Sequence, residues 1–309
     1  MPDVLRLGTR TSRLATWQAE HVAAALQRAW PGLEVEFVPF VTKGDKTLDQ
    51  PLPEIGGKGL FTAELEASLL DGRIDLAVHS LKDLPTEDPA GLTVGATAER
   101  ADPRDAWISP EGLHLDELPG GAVVGTSSLR RGAQLLRARP DLVIRSIRGN
   151  VETRIRKVHE EDYHAGVLAL AGLMRLEIED RAQSVLDLDT MLPAPGQAAL
   201  GIQVRADGGE AARLVAALDH PATRAAVTAE RAFLAGLGGG CSAPIAALAE
   251  VSGDRLTFRG RVVSTDGART VAVEADGPFD PDAARSSGLA LGRDAAATAL
   301  DGGARDLLP

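Results

Sequence analysis

Mainly apolar runs alternate with amphipathic segments over the first hundred residues of the chain. VLRLG (4–8) has the length and composition of a buried strand, and the segment after it spaces apolar residues along one helical face until Pro31. Thr11 or Ser12 can cap that helix, since a hydroxyl there accepts from a free backbone N–H. Similar patterns predict another helix and three more strands, at 60–71, 33–40, 74–80 and 92–98. This alternation is typical of a mostly parallel sheet with right-handed crossovers.

The pattern restarts near Asp102 and predicts a second α/β unit. Strands are expected within 122–128 and 141–150, and 165–173 is expected to be a strand and a turn; helices are expected at 129–138 and about 151–160. LPAPGQAALGIQV (192–204) has the Pro and Gly content of a linker that enters a strand, which we expect to return to the first unit. The expected boundaries are therefore 1–99 plus 199–217 for domain 1 and 103–193 for domain 2.

The order of predicted helices and strands changes from about residue 221. A long Ala-rich helix (222–236) precedes three consecutive strands, and a final helix is expected around 281–300. Consecutive strands followed by a helix favour a small α+β domain with an antiparallel sheet, spanning 221–309. The predicted fold class is thus α/β, with two mostly parallel sheets and a smaller C-terminal α+β domain.

Composition removes several function classes. The chain has 33 basic and 44 acidic residues, a formal charge of −11, which argues against a general nucleic-acid binder. No apolar run reaches membrane-span length, and the N-terminus lacks a secretory signal, so a cytoplasmic protein is expected. The single cysteine, Cys241, excludes an internal disulfide, and the six histidines lack metal-ligand spacing, so no metal site is expected.

Hydroxyls and cationic side chains gather after the predicted strands, where ligands bind in open α/β sheets. At any one of these positions, helix capping or surface solvation is a sufficient explanation. Five strand ends with the same chemistry instead predict a cleft for a polyanionic small molecule, because arginine binds carboxylates bidentately. The side chains concerned are Arg10, Ser12, Lys82, Thr126, Ser127, Ser128, Arg130, Arg131, Arg148, Arg154 and Arg175.

Two further residues have chemical potential of their own. Asp83 follows a predicted strand, where a carboxylate can stabilise a developing cation or move a proton; the alternative is an exposed turn residue before Pro85. Cys241 follows three glycines, a setting in which a thiol is better suited to carrying a group than to filling a core. Most lone cysteines are buried small hydrophobes, so this alternative stays open at this point.

Ten ordered strings show that the chain resembles the porphobilinogen deaminases, or hydroxymethylbilane synthases, over nearly its whole length. They are RLGTRTSRLA (6–15), VTKGD (41–45), GGKGLFTAELE (56–66), DLAVHSLKDLP (75–85), ERADPRDA (99–106), VGTSSLRR (124–131), IRSIRGNVETR (144–154), LPAPGQAALGI (192–202), TAERAFL (228–234) and GGGCSAPIAA (238–247). The resemblance implies two α/β domains like those of periplasmic binding proteins, with the active site between them. It also implies a monomer that binds no nucleic acid or membrane.

The resemblance further implies the chemistry. A dipyrromethane cofactor is attached by a thioether to Cys241. Four porphobilinogen molecules are joined head to tail with loss of ammonia, and hydrolysis releases hydroxymethylbilane. Loss of ammonia leaves an azafulvenium-like cation, so Asp83 takes the catalytic role of stabilising positive charge on pyrrole nitrogens.

The remaining roles follow from the same resemblance. Cofactor binding is expected of Cys241, Lys82, Asp83, Thr126, Ser127, Ser128, Arg130, Arg131, Arg148 and Gly149. Substrate binding is expected of Arg10, Ser12, Arg148, Arg154, Arg175 and Gln197. Lys58 is expected in a lid loop.

Two positions depart from the family pattern. Glu54 stands where a basic residue is frequent, and Gly238 where an acidic one is frequent, so we expect altered lid contacts and a looser cysteine loop. Two other functions compete with the synthase. A non-catalytic solute-binding protein needs neither the third domain nor Cys241, and a nucleic-acid or phosphoprotein module needs a basic, aromatic face, whereas aromatics are only 3% of the chain.

Overall fold

The structure is a computed structural model, which describes residues 4–42, 62–239 and 243–308. The described residues form thirteen strands: β1 Val4–Arg10, β2 Glu34–Phe40, β3 Leu76–Ser80, β4 Leu92–Thr97, β5 Asp105–Ile108, β6 Val123–Gly125, β7 Val143–Arg145, β8 Ala165–Ala169, β9 Ser184–Val185, β10 Leu200–Arg205, β11 Ile245–Ser252, β12 Arg255–Val263 and β13 Thr270–Pro278. The α-helices are α1 Arg13–Ala29, α2 Ala63–Leu70, α3 Leu129–Ala138, α4 Val151–Glu160, α5 Leu170–Arg175, α6 Glu210–Val215, α7 Pro221–Gly236 and α8 Ala284–Asp301.

The first two sheets share one topology. Their orders are β2-β1-β3-β10-β4 and β7-β6-β8-β5-β9, and in each the fourth strand runs against the other four. Since ligands bind beyond the carboxyl ends of parallel strands, β1, β3, β6, β7 and β8 each present a candidate binding edge. The strand after the 192–199 linker, β10, lies between β3 and β4 with Leu200 opposite Ser80.

The third sheet is antiparallel, in the order β11-β12-β13. Helices α7 and α8 cover one face, and Phe233 of α7 packs at 5.1 Å between ring centroids against Phe258 of β12. The two helices approach closely, since a Cβ on Gly292 would lie 2.1 Å from the carbonyl oxygen of Ala229. This close approach fixes α7, the helix that precedes Cys241 in the chain.

A buried junction joins the three sheets. Two segments, 98–104 and 186–199, cross between the first and second sheets, and Arg100 Nε donates to the carbonyl oxygen of Gln197 at 2.8 Å. Arg100 also pairs with the fully buried Glu230 of α7 at 2.6 Å. Glu230 accepts from the backbone N–H groups of Gly196 at 2.6 Å and Ala249 at 2.8 Å. One carboxylate thus ties both crossing segments to the third sheet.

The predicted fold class is confirmed: two sheets of mostly parallel strands and a smaller antiparallel sheet. Helices α3 and α4 have the predicted bounds. The prediction for 165–173 is wrong in its second half, because a helix, not a turn, begins at Leu170. Strand β5 was not predicted. The predicted helix at 60–71 is Ala63–Leu70, and residues 60–61 lie outside the described residues. No described helix has the length and apolarity to span a membrane.

Candidate functional site

Helix N-termini follow the carboxyl ends of three strands. Ser12 caps α1 after β1 by accepting from the backbone N–H of Ala15 at 3.3 Å. Of the two residues predicted as possible caps, Thr11 and Ser12, the structure therefore shows Ser12. Ser128 caps α3 by accepting from the N–H of Arg131 at 3.4 Å. Asn150 caps α4 by accepting from the N–H of Thr153 at 2.8 Å. Free N–H groups at such termini favour anions, which suits the predicted ligand class.

Asp83 and Lys82 lie on a short 3-10 turn, Leu81–Asp83, that directly follows β3. Asp83 is exposed. Lys82 is half-buried, and its Nζ donates to Oε1 of Gln197 at 3.2 Å. Leu81 on the near side of the turn and Leu84 just beyond it are buried. The turn therefore presents one carboxylate to solvent from a fixed base.

A single buried carboxylate organises the neighbouring cations. Asp105, the first residue of β5, is fully buried, and its Oδ2 lies 2.8 Å from Nη2 of Arg130. Its Oδ1 accepts from Nη2 of Arg131 at 2.7 Å and from Nε2 of Gln197 at 2.9 Å. Burial opposes its ionisation, but the two guanidiniums hold the pKa of Asp105 well below its usual range. Gln197 thereby links Asp105 to Lys82.

The electrostatics define a cationic cluster, which comprises Lys82, Arg130, Arg131 and Arg154. Burial and the nearby Arg131 lower the pKa of Lys82 to about 8, against the opposing attraction of Asp83 and Asp105. Burial and Arg131 also lower the pKa of Arg154 to about 10, while Asp83 opposes this shift. Positive charges this close disfavour one another, so an added anion would relieve the cluster.

The cationic cluster has capacity for an acidic ligand. Its four cations exceed by two the carboxylates that interact with it, Asp83 and Asp105. The Nε atoms of Arg130 and Arg131 are buried and have no hydrogen-bond partner among the described residues. Buried polar atoms without partners are costly, and an acidic ligand can offset that cost by accepting from them.

The loops after β6 and β7 are held to each other. Ser127 Oγ lies 2.8 Å from Ser146 Oγ and donates to the carbonyl oxygen of Ile147 at 2.8 Å. Thr126 Oγ1 accepts from the N–H of Ser128 at 3.2 Å. These two predicted cofactor residues therefore shape the loops. They place Ser128 at its helix cap.

Arg148 and Gly149 lie on the second of these loops. Arg148 is half-buried, between Ile147 and the start of α4. Gly149 has φ 126°, and a Cβ there would lie 2.6 Å from Cγ2 of Thr153. Only glycine fits this approach without strain, so the residue sets the path into the capped helix.

Arg10 and Arg175, two further predicted substrate residues, interact with other groups. Arg10 ends β1 and interacts electrostatically with buried His79, whose pKa falls to about 4 mainly through burial. Arg175 is buried, donates to the carbonyl oxygen of Ala198 at 2.6 Å, and stacks 5.8 Å from the ring centroid of Trp17. It also lines a groove of about 290 Å³ between α1 and the end of α5. No described contact joins Arg175 to the cluster.

Lys58, Glu54 and Cys241 lie outside the described residues. The chain before the cysteine ends helix α7 in an ordered way: Gly238 donates to the carbonyl oxygen of Ala235 at 2.9 Å, and Gly239 to that of Leu234 at 3.0 Å. Gly238 has φ 69°, which glycine adopts readily. The glycine at 238 therefore terminates the helix and holds the chain up to residue 239.

Three important residues were not predicted from the residue pattern: Asp105, Arg100 and Glu230. The first two lie in the string ERADPRDA, and Glu230 lies in TAERAFL, so the resemblance contained the signal. Their roles depend on partners distant in sequence. A single sequence does not reveal such pairings.

Comparisons with known proteins show the family of the chain. The family model for the porphobilinogen deaminase dipyrromethane cofactor binding domain matches residues 5–213, and that for the porphobilinogen deaminase C-terminal domain matches 224–297. A porphobilinogen deaminase of Chromobacterium violaceum is 48% identical over 306 residues, covering 99% of this chain and 97% of the relative. The chain belongs to the porphobilinogen deaminase family.

Similar solved structures include a methionine binding protein, MetQ, and a YaeC-family lipoprotein of Enterococcus faecalis. The first is 15% identical with a TM-score of 0.45, covering 70% of this chain and 89% of that one. The second is 14% identical with a TM-score of 0.44, covering 71% and 92%. These values are too low to support an inference about this porphobilinogen deaminase family member.

The residues present fit the dipyrromethane cofactor of the family. Its rings carry carboxylates, and the cationic cluster has both an excess of positive charge and buried N–H groups without partners. The chain also has one cysteine for a thioether, Cys241. Family membership favours the synthase over the solute-binding and nucleic-acid alternatives.

Asp105→Asn is expected to lower the free energy of unfolding by about 3–5 kcal/mol, because it leaves two buried guanidiniums without their shared anion. Asp102→Asn is the matched control, since its ion pair with Arg104 is partly exposed and worth at most about 1 kcal/mol. Urea unfolding of both variants measures the difference. Equal midpoints for the two variants would contradict the organising role of Asp105.

Proposed function

We propose that this enzyme, a transferase with hydroxymethylbilane synthase activity in tetrapyrrole biosynthesis, uses Asp83 as its catalytic carboxylate. The reaction joins four porphobilinogen molecules head to tail onto a dipyrromethane primer with loss of ammonia, and hydrolysis then releases hydroxymethylbilane. One observation carries the assignment. The Asp83 turn is linked through Lys82 and Gln197 to Asp105 and its two arginines.

Asp83 acts by electrostatics and proton transfer. Its exposed carboxylate stabilises the positive charge that develops on pyrrole nitrogens when ammonia leaves and the next ring attacks. The same oxygen atoms accept a proton at the end of each condensation. The position of Asp83 on a turn between two buried leucines limits its movement.

The second part of the proposal concerns the cofactor. Cys241 carries the dipyrromethane by a thioether, and the absence of any other cysteine in the chain supports this assignment. When bound, the dipyrromethane supplies the ring carbon to which the first porphobilinogen is joined. Its carboxylates are held by Lys82, Ser128, Arg130 and Arg131, with Thr126, Ser127, Arg148 and Gly149 shaping the adjoining loops.

The substrate carries an acetate and a propionate group, which call for cations and free N–H groups. Arg154 is suited to this role because it interacts electrostatically with Asp83. Arg10 and Ser12 supply a cation and a helix N-terminus beyond β1. The remaining substrate residues in the proposal are Arg148, Arg175 and Gln197.

The proposed organisation has three domains: 1–99 plus 199–217, 103–193 and 221–309. The three separate sheets and the placement of β10 in the first sheet support this division. Lys58 is proposed to belong to a lid loop. A monomeric state and a cytoplasmic location are proposed from the family resemblance and the sequence, and no nucleic acid or membrane is proposed as a partner.

Asp83→Asn is expected to retain the fold and the bound cofactor but to lower kcat about 100-fold or more, because the amide cannot stabilise a cation or accept the proton. Asp88→Asn, an exposed carboxylate beyond the turn, is the control and keeps normal turnover. The rate of porphobilinogen consumption, followed with Ehrlich's reagent, gives kcat. Near-normal turnover in Asp83→Asn would remove Asp83 from the mechanism.

Cys241→Ala is expected to yield protein with no covalently bound pyrrole pigment. Intact-mass measurement after denaturation should give the bare polypeptide for this variant and a polypeptide plus dipyrromethane for the unaltered protein. Ser242→Ala, the adjacent control, should retain the added mass. Pigment that survives denaturation in Cys241→Ala would show that attachment occurs elsewhere.

The pKa of Lys82 predicts an alkaline limit to ligand binding. With a pKa of about 8, Lys82 is charged below that pH and loses its charge above it, so affinity for an acidic ligand falls as pH rises. Calorimetric titration of porphobilinogen into Cys241→Ala protein, between about pH 7 and about pH 9.5, should show Kd rising by up to about tenfold per pH unit. Lys82→Arg in that background should show no such rise, because arginine stays charged. A flat profile with Lys82 present would contradict the role.

A further inference from the structure

An arginine of helix α7 donates hydrogen bonds to the backbone of the turn that carries Asp83. From helix α7, Arg231 reaches the three backbone carbonyl groups that bracket that residue. Its Nη1 lies 3.5 Å from the carbonyl oxygen of Leu81 and 3.2 Å from that of Leu84, and its Nη2 lies 2.5 Å from that of Pro85. The contact is thus made on both sides of Asp83, without touching its carboxylate.

The turn needs such a partner. The Leu81–Asp83 turn is a 3-10 segment with no side-chain cap from Ser80, and its own hydrogen bond is from the Leu84 N–H to the Leu81 carbonyl at 3.2 Å. Carbonyls at the end of a short helix lack intrahelical donors. A charged donor forms stronger hydrogen bonds than a neutral one, so the guanidinium is an effective substitute.

Apolar packing against the same helix also stabilises the turn. Leu81 and Leu84 are buried in one cluster with Ala199 and with Val227 of α7, one turn before Arg231. The neighbouring Glu230 of α7 holds the N–H of Gly196, and a Cβ on Gly196 would lie 3.4 Å from the backbone nitrogen of Lys82. Helix α7 therefore bounds the Asp83 turn from more than one direction.

We propose that Arg231 is a positioning residue: it fixes the Asp83 turn so that the carboxylate meets the reacting pyrrole nitrogen in the productive geometry. This inference rests on the proposed catalytic role of Asp83. In this role Arg231 acts through the backbone carbonyls of Leu81, Leu84 and Pro85. Its loss should leave ligand binding largely intact and should slow the chemical steps.

Helix α7 contains a matched control. Arg224, two turns earlier, donates to the carbonyl oxygens of Val94 at 3.1 Å and Gly95 at 3.1 Å, and pairs with Asp219 at 2.7 Å. It makes the same kind of contact with the same sheet, but on β4, which is separated from β3 by β10. A purely structural contribution should therefore be shared by both arginines, whereas positioning of Asp83 belongs to Arg231 alone.

The test compares Arg231→Met with Arg224→Met in enzyme whose cofactor content has been measured by intact mass. We expect Arg231→Met to lower kcat by about tenfold to 100-fold with KM within about threefold of the unaltered enzyme, because small misplacements of a catalytic group are costly. Arg224→Met should keep kcat within about threefold. Hydrogen exchange of the Leu84 amide should become faster in Arg231→Met and not in Arg224→Met. Equal kcat in the two variants, or unchanged exchange at Leu84, would overturn the proposal.

Arg231→Lys covers the case in which Arg231→Met does not fold. Lysine keeps the charge but is a point donor that cannot contact carbonyls on both sides of Asp83 together, so we expect an intermediate loss of kcat. Full kcat in Arg231→Lys would overturn the proposal. In an Asp83→Asn background, Arg231→Met should lower kcat by no more than about threefold further, because the two residues act as a unit.

The two claims fail in different ways. High kcat in Asp83→Asn alone refutes the proposed catalytic residue, whatever Arg231 does. Low kcat in Asp83→Asn, together with normal kcat in Arg231→Met, refutes only the positioning role. A full further loss from Arg231→Met in the Asp83→Asn background also refutes positioning, since the arginine would then act independently of that carboxylate.

Discussion

Buried guanidiniums need a buried anion, and the carboxylate of Asp105 is the anion for both Arg130 and Arg131. It also accepts from the side-chain amide of Gln197, whose oxygen accepts from Lys82. The arrangement gathers positive charge without cancelling it. What remains is net positive charge near Asp83, suited to rings that carry carboxylates and to a reaction that develops positive charge next to a carboxylate.

Helix α7 contacts parts of the chain well outside its own antiparallel sheet. Helix α7 contributes Glu230 to the junction, where this residue binds both crossing segments. Beyond the helix, the backbone N–H groups of Gly238 and Gly239 bond back to its last turn. The same helix contacts the turn that bears Asp83. Helix α7 thus contacts both the junction between the sheets and the turn that bears Asp83, and it precedes Cys241 in the chain.

The sequence predicts the parts of the fold that have local signals. Helices α3 and α4 were predicted with their observed bounds because Ser128 and Asn150 cap them and turn residues follow them. Helix α5 was missed because it begins after Ala169 without a side-chain cap. Strand β5 was missed because four residues near two prolines give no periodicity.

The candidate site likewise contains residues that have a local sequence signal and residues that have none. Strand ends and turn chemistry predicted Lys82, Asp83, Arg130 and Arg131 as site residues, since their residue types mark the edge of the sheet. Asp105 was not identified, because its partners lie 25 or more positions away and only the packed structure joins them. Ser127 and Arg175 were predicted as ligand-binding groups. Their observed partners are groups of the chain itself: Ser146 and Ile147 for Ser127, and the carbonyl oxygen of Ala198 for Arg175.

A crystal structure of the cofactor-loaded enzyme tests the central claim most directly. The account predicts dipyrromethane carboxylates within about 2.7–3.0 Å of Lys82, Arg130 or Arg131, and the pyrrole nitrogens at hydrogen-bond distance from the Asp83 carboxylate. Dipyrromethane bound away from the cationic cluster, with Asp83 facing solvent and no pyrrole nitrogen near it, would contradict the account.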